Sequence, residues 1–261
     1  MRLLLGSTIL LAYNVEEALR LASHLGYDGV EVWAYHMYRS GESPSQVARI
    51  AKHLGLSLTV HALSWDLNIT SDIPSLRQES LALLEKCVEL TAALGASLLV
   101  VHPGRVTVPK ADKASYWPLL VEGIQRLARK GVAYNIVIAV EHMEPLEAEL
   151  LVQPMQVHQL LEEVDEDNVC VTFDAAHVPM GVHLVHFLEQ LPAVKHVHIS
   201  DADQDQRHLP LGSGRLNLKD LLHHLRQSNY QRFVVVEGIE HRRIPHLARQ
   251  NKEAFDELLK L

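Results

Sequence analysis

A single (β/α)8 TIM barrel is the fold class the sequence predicts. Three observations carry it: a helix–stop–strand unit that recurs along the chain, eight β-branched runs, and a length of 261 residues. Parallel strands covered by helices read as near-continuous apolar runs, and a closed barrel of eight of them usually takes about 250 residues. An open doubly wound sheet is the competing architecture. Eight runs in this length favour closure.

The unit is clearest from Val15 to Trp33. Ala18, Leu19, Ala22 and Leu25 form a helical stripe, Gly26 supplies a left-handed stop, and Gly29-Val30-Glu31-Val32-Trp33 reads as a strand. Val47 to His61 repeats it with a stop at Gly55, and Leu81 to His102 with a stop at Gly95. Gly131 and Asn229 are expected to play the same part before the fifth and eighth strands. The expected strands are Leu3–Gly6, Gly29–Trp33, Ser57–His61, Ser97–His102, Val137–Glu141, Val169–Asp174, His196–Ile199 and Phe233–Glu237. No Pro/Gly/Ser linker or charge block divides the chain, so one domain is expected over residues 1–261.

Composition narrows the partners. Apolar residues at 48% and charged residues at 21% are ordinary for a folded chain. A formal net charge of −8 repels polyanions, which makes nucleic acid an unfavoured partner. Cys87 and Cys170 form neither a disulfide framework nor a cysteine zinc motif, so a metal would sit on His and carboxylates. Gly6-Ser7-Thr8 interrupts the apolar start before it resembles a signal sequence. No apolar run approaches the roughly 18 residues of a membrane span, so no membrane partner and a cytoplasmic location are expected. Homo-oligomerisation is left open.

What ends the strands is more informative. Six of the eight finish on a potential metal ligand: His61, His102, Glu141, Asp174, His198 and Glu237. In a parallel barrel all C-terminal strand ends share one rim, where barrel enzymes place their chemistry. Carboxylates set straight after apolar runs are costly to bury unless paired or metal-bound. Alternation separates the ligands from their neighbours: His142 points away from Glu141, and His196 lies one layer below His198 as a packed or ligand-supporting histidine. Gly212-Ser213-Gly214 reads as a turn and not a phosphate cradle.

From Val15-Glu16-Glu17-Ala18-Leu19 through Gly26-Tyr27-Asp28-Gly29-Val30-Glu31 to Val236-Glu237, the chain resembles the xylose-isomerase-like barrel superfamily. That group holds sugar isomerases and epimerases, inosose dehydratases and endonuclease IV-type repair enzymes. The resemblance to its ketose 3-epimerases implies one metal held by Glu141, Asp174, His198 and Glu237. It implies His177, in Asp174-Ala175-Ala176-His177, and Arg207 as substrate contacts, with Glu147 as the carboxylate six residues after the first glutamate. The resemblance to endonuclease IV implies additional metal ligands at His61, His102, His177 and His208. Gln206, however, stands where that enzyme has an aspartate, which puts the three-zinc arrangement in doubt; Asp203 or Asp205 are alternative suppliers.

The expected activity is therefore a divalent-metal-dependent isomerase or epimerase acting on a sugar, sugar phosphate or keto-polyol. Manganese or zinc come first as the metal, with cobalt and magnesium next. Glu141 and Glu237 are the expected catalytic pair, passing a proton through an enediolate. The alternatives are a zinc-dependent abasic-site endonuclease and a barrel that binds a sugar or metal without turnover.

Overall fold

A computed structural model describes residues 1–260. Eight parallel strands close in sequence order, β1 to β8, with β1 hydrogen-bonded to β8. They are β1 (Arg2–Gly6), β2 (Gly29–Trp33), β3 (Ser57–His61), β4 (Leu98–Val101), β5 (Val137–Glu141), β6 (Val169–Asp174), β7 (Val194–Ile199) and β8 (Phe233–Val236). The outer ring is α1 (Val15–His24), α2 (Ala34–Ser40), α3 (Pro44–Leu54), α4 (Pro74–Ala93), α5 (Trp117–Val132), α6 (Pro154–Val164), α7 (Leu184–Glu189), α8 (Leu218–Gln227) and α9 (His246–Leu258). Among the described residues no helix is long and apolar enough to cross a membrane.

The barrel is the expected one, with shifts of one or two residues at the ends of β1, β4, β7 and β8. His102 and Glu237 follow their strands immediately.

Local chemistry explains the elements. Asn14 caps α1 reciprocally: its side chain accepts the Glu17 N–H at 2.8 Å and Glu17 accepts the Asn14 N–H at 3.0 Å. Pro44, Pro74 and Pro154 open their helices, where a missing N–H costs nothing. Gly26, Gly55 and Gly95 adopt positive φ as expected, and Asn229 does so at 56°.

Gly131 does not stop its helix. It lies inside α5, and Asn135 takes the left-handed conformation at φ 56°. Gly131 is small for a different reason, since a Cβ there would lie 2.7 Å from the Ile136 carbonyl oxygen and 2.9 Å from Asn168 Nδ2.

Alternation divides each strand between two cores. Val30 and Val32, Ile138 and Val140, and Val234 and Val236 face the helices in one continuous apolar layer. Each such buried side chain contributes about 1.5–3 kcal/mol. Inside the barrel, Leu98, Val100, Ala139 and Cys170 pack into a small separate cluster. Above it the interior positions turn polar. A register shift between β6 and β7 at Val171/Thr172 brings Thr172 opposite His196 and Asp174 opposite His198. Such a bulge re-aims side chains, and here it sets a carboxylate and an imidazole at the same height.

Candidate metal centre

The strand ends converge as two arcs on one rim. On the first, Glu141 (β5), Asp174 (β6), His198 (β7) and Glu237 (after β8) bring one ligand atom each within 4.8 Å of the others. All four are buried. His198 Nδ1 lies 3.1 Å from Glu141 Oε1, 3.2 Å from Glu237 Oε1 and 3.9 Å from Asp174 Oδ2. On the second arc, His61 Nε2 and His102 Nε2 lie 3.5 Å and 3.3 Å from Glu141 Oε2. Glu141 belongs to both.

Backbone and side-chain acceptors outside the centre decide which imidazole nitrogen faces inward. His61 Nδ1–H donates to the Ala62 carbonyl at 2.8 Å, so Nε2 is the nitrogen that faces Glu141. Trp33 stacks on the His61 ring at 3.9 Å with 6° between planes and holds it flat. His177 Nδ1–H donates to the His142 carbonyl at 2.9 Å, turning Nε2 toward Glu144 at 3.4 Å and Asp174 at 3.8 Å. Asp174 Oδ1 accepts the Ala176 N–H at 2.6 Å, capping the short turn that carries His177 back over the rim.

The charge balance is unusual. Burial raises a carboxyl pKa, yet the imidazoles of His198, His102 and His61 draw Glu141 well below the ordinary range. Burial, reinforced by the charges of Glu141 and Asp174, pushes Glu237 well above it although His198 opposes this. His198 is drawn up by Glu237, Glu31 and Glu141 against the effect of burial. Three carboxylates thus share a space with too little positive charge. Glu141 Oε2, Asp174 Oδ2 and Glu237 Oε1 are buried with no hydrogen-bond partner among the described residues. Unpartnered buried oxygens are costly. Three oxygens and one nitrogen converging in this way suit a divalent cation of the hard or borderline class.

A cavity of about 180 Å³ opens above the centre. Glu141, Glu237, His61, His102, His177 and His208 line it, with Trp33, Trp65, Met143 and Glu144. His208 Nδ1 is 3.1 Å from Ser200 Oγ and 3.7 Å from Glu237 Oε2, and Asp174, His177 and His208 form a third group of possible ligands.

Two expected contacts lie elsewhere. Glu147 lines a separate surface cavity with Val106 and Lys110. Glu144 faces His177 instead, because Met143 N–H bonds to the Leu151 carbonyl and folds the loop back before Glu147. Arg207 donates to the Ala176 carbonyl behind the His177 turn and does not line the cavity. Asp203 is occupied in its own turn, accepting N–H groups from Asp205 and Gln206. His142 points away from the centre, as alternation predicts. It accepts the Asp174 N–H at 3.1 Å beside Phe173 and Phe187, and burial lowers its pKa to about 4.

Two charged residues were not anticipated at the site. Glu144 is one. The other is Glu31, fully buried beneath the centre, with its carboxylate 2.7 Å from His196 Nε2 and 2.9 Å from His198 Nε2. The signal for Glu31 was a charge in the middle of a strand that is otherwise apolar.

Known proteins share this arrangement of elements. The fructoselysine 3-epimerase of Shigella flexneri is 24% identical over 94% of this chain and 93% of its own. A probable endonuclease 4 of Oceanobacillus iheyensis is 27% identical over 64% of this chain and 62% of its own. The crystal structure of a D-tagatose 3-epimerase-like protein superposes with a TM-score of 0.86 at 22% identity, covering 99% of this chain and 97% of that one. The xylose isomerase-like TIM barrel family matches residues 19–260, and the chain belongs to that family.

Proposed function

We propose that this protein is a divalent-metal-dependent sugar epimerase or isomerase, with Glu141, Asp174, His198 and Glu237 holding the metal. The observation that carries this reading is the tetrad of buried ligand atoms, three of them oxygens without hydrogen-bond partners, at the floor of a cavity. Relatives named as fructoselysine 3-epimerase, 3-dehydro-D-guloside 4-epimerase and D-psicose 3-epimerase support the sugar class. When bound, the metal supplies Lewis acidity to a sugar's carbonyl and adjacent hydroxyl oxygens, which acidifies the neighbouring C–H. Manganese or zinc fits the donor set best.

The chain's own residues do the rest. Glu141 and Glu237 approach the cavity from β5 and β8; one removes the proton beside the carbonyl, and the other returns a proton to the opposite face of the enediolate. His177 and Glu144 form a polar pair at the rim that orients hydroxyls. Arg207 acts through the Ala176 carbonyl, holding the His177 turn. Enclosure of the carboxylates strengthens their interaction with developing charge.

The histidine arc favours a second ion. His61 and His102 both turn nitrogen toward Glu141 Oε2, and a cation between them resolves that unpartnered contact. This multinuclear character is what endonuclease chemistry would use. Against that use stand the net charge of −8 and the exposed Gln206.

Three measurements on the purified chain test the proposal: metal content, deuterium uptake from heavy water into a panel of ketoses, and abasic-duplex cleavage. Metal with deuterium on the sugar is the expected result. Cleavage without uptake would overturn it in favour of phosphodiester hydrolysis, and metal without either reaction would favour a binding barrel.

A further inference from the structure

Beneath the tetrad, inside the barrel, lies a second polar layer that the reaction does not touch. Glu31 is its centre and is fully enclosed. The residue comes from β2, where its neighbours Val30 and Val32 face the outer core, so alternation sends its side chain into the barrel. Its register partner on β3 is Thr59, whose hydroxyl donates to Glu31 Oε2 at 2.9 Å. From the far wall, β7 supplies His196 Nε2 at 2.7 Å to the same oxygen and His198 Nε2 at 2.9 Å to the other. One carboxylate thus bridges the width of the barrel.

A carboxylate has no proton to offer, so each imidazole must donate its Nε2–H to it. Glu31 Oε1 and His198 Nε2 stand 2.9 Å apart without the alignment of a full hydrogen bond, and neither has any other hydrogen-bond partner among the described residues. The same three side chains lie close enough together to be considered as metal ligands, but their spacing argues for hydrogen bonding. A zinc or manganese ion held about 2.0–2.2 Å from each donor keeps the donors about 3 Å apart or more, whereas these pairs stand at 2.7 and 2.9 Å. Those are hydrogen-bond separations.

We propose that Glu31 is the positioning residue of the centre: it anchors Nε2–H of His198 and so leaves Nδ1 as the nitrogen that faces Glu141, Asp174 and Glu237. His196 and Thr59 complete the device by holding Glu31 Oε2, which keeps the other oxygen turned to His198. The anchor differs in kind from those of His61 and His177, whose outer nitrogens meet neutral carbonyls. An anion behind the ring raises the basicity of the inward nitrogen more than a carbonyl does, and loss of such a partner typically weakens metal binding by about 10–100-fold. The consequence for affinity rests on the tetrad being a metal site; the anchoring itself does not.

The test uses the full chain labelled with nitrogen-15, as wild type, Glu31→Gln and Glu31→Asp. Imidazole spectra are recorded metal-free and during zinc titration, with zinc affinity measured by chelator competition. The expected wild-type result is a hydrogen-bonded Nε2 proton on His198 and zinc on its Nδ1. Glu31→Gln should lose that proton signal and bind zinc about 10–100-fold more weakly, while its metal-free melting curve shows a cooperative fold. Glu31→Asp should recover part of the affinity.

Affinity within twofold of wild type in a folded Glu31→Gln would overturn the proposal, as would zinc bound through His198 Nε2. Failure of the metal reading is separable, because wild-type His198 would then not respond to zinc. In that case the metal-free spectra decide alone: an Nε2 proton lost only on replacing Glu31 upholds the anchor, and its absence from wild type refutes it. A Glu31→Gln chain that does not fold transfers the decision to Glu31→Asp, whose affinity must then fall.

Discussion

The two arcs of the rim carry the same kinds of atom to opposite electrostatic outcomes. The β5–β8 arc assembles three carboxylates and one imidazole in a buried space, and Glu237 is pushed well above its usual range by burial and by its like-charged neighbours. The β3–β4 arc offers only the rings of His61 and His102 and borrows its anion from Glu141. Burial holds His102 below the usual histidine value. The first arc gathers donors that could hold a cation on their own. The second becomes a site only through a residue the first already uses, and it should bind second and more weakly.

The largest effect that would sharpen this contrast is expected at Glu237. Replacing it with Gln keeps the size but removes both a ligand charge and one member of the proton-transfer pair. Turnover should fall by at least about a hundredfold to ten-thousandfold, read as the rate of deuterium exchange, and wild-type exchange would break the proposed division. His61→Ala and His102→Ala should act on metal stoichiometry instead. They should remove the second ion per chain while the tetrad keeps its own, as elemental analysis of the dialysed protein will show. Loss of all metal on replacing His61 would erase the distinction between the arcs.

Smaller effects test the rim. Glu144→Gln should raise KM about tenfold through the lost partner of His177, about the worth of one polar contact to a charged group. Glu147→Gln, out on the surface loop, should leave kinetics unchanged, and the reverse result would restore Glu147 as the substrate carboxylate.

The smallest effect concerns pH. Burial and the neighbouring Glu144 push Glu149 up to about 7, although Arg105 opposes this. Between its ordinary value near 4.5 and about 7, the folded state keeps a proton that the unfolded chain has released. Stability contributed by this group is therefore present at low pH and lost as pH rises through 7. Glu149→Gln should be nearly level with wild type at pH 5 and about 1–2 kcal/mol more stable at pH 8, seen as a melting-temperature gap that opens with pH.

The sequence carried the barrel because its outer strand faces and helix stripes follow two simple periods. Runs such as Ile138-Ala139-Val140 and stops such as Gly26 and Asn229 are local signals, and local physics decides them. Gly131 misled because a glycine forced by close approach to Ile136 and Asn168 looks the same in sequence as one forced by backbone conformation. The meeting of the rim side chains was legible for a related reason: in a parallel barrel a strand end is an address, so six ligand-type ends imply one meeting place.

Residues whose roles depend on distant partners were not legible. Glu31 reaches His196 and His198, 165 and 167 positions along the chain (196 − 31 and 198 − 31), and nothing local marks that bond. Glu144 and not Glu147 lines the central cavity, because a loop hydrogen bond from Met143 to Leu151 sets which carboxylate turns inward. Loop paths follow such single contacts and not a repeating pattern.

The central claim is that the tetrad holds a divalent ion on which proton exchange at a sugar carbon depends. The most direct test strips the metal from the wild-type chain with chelator and measures deuterium uptake from heavy water into a ketose it turns over. Manganese or zinc is then returned in steps up to one equivalent. The stripped protein should show no exchange, and recovery should be proportional to metal and saturate near one ion per chain. Exchange that persists without metal, or metal that rebinds without restoring it, would contradict the account.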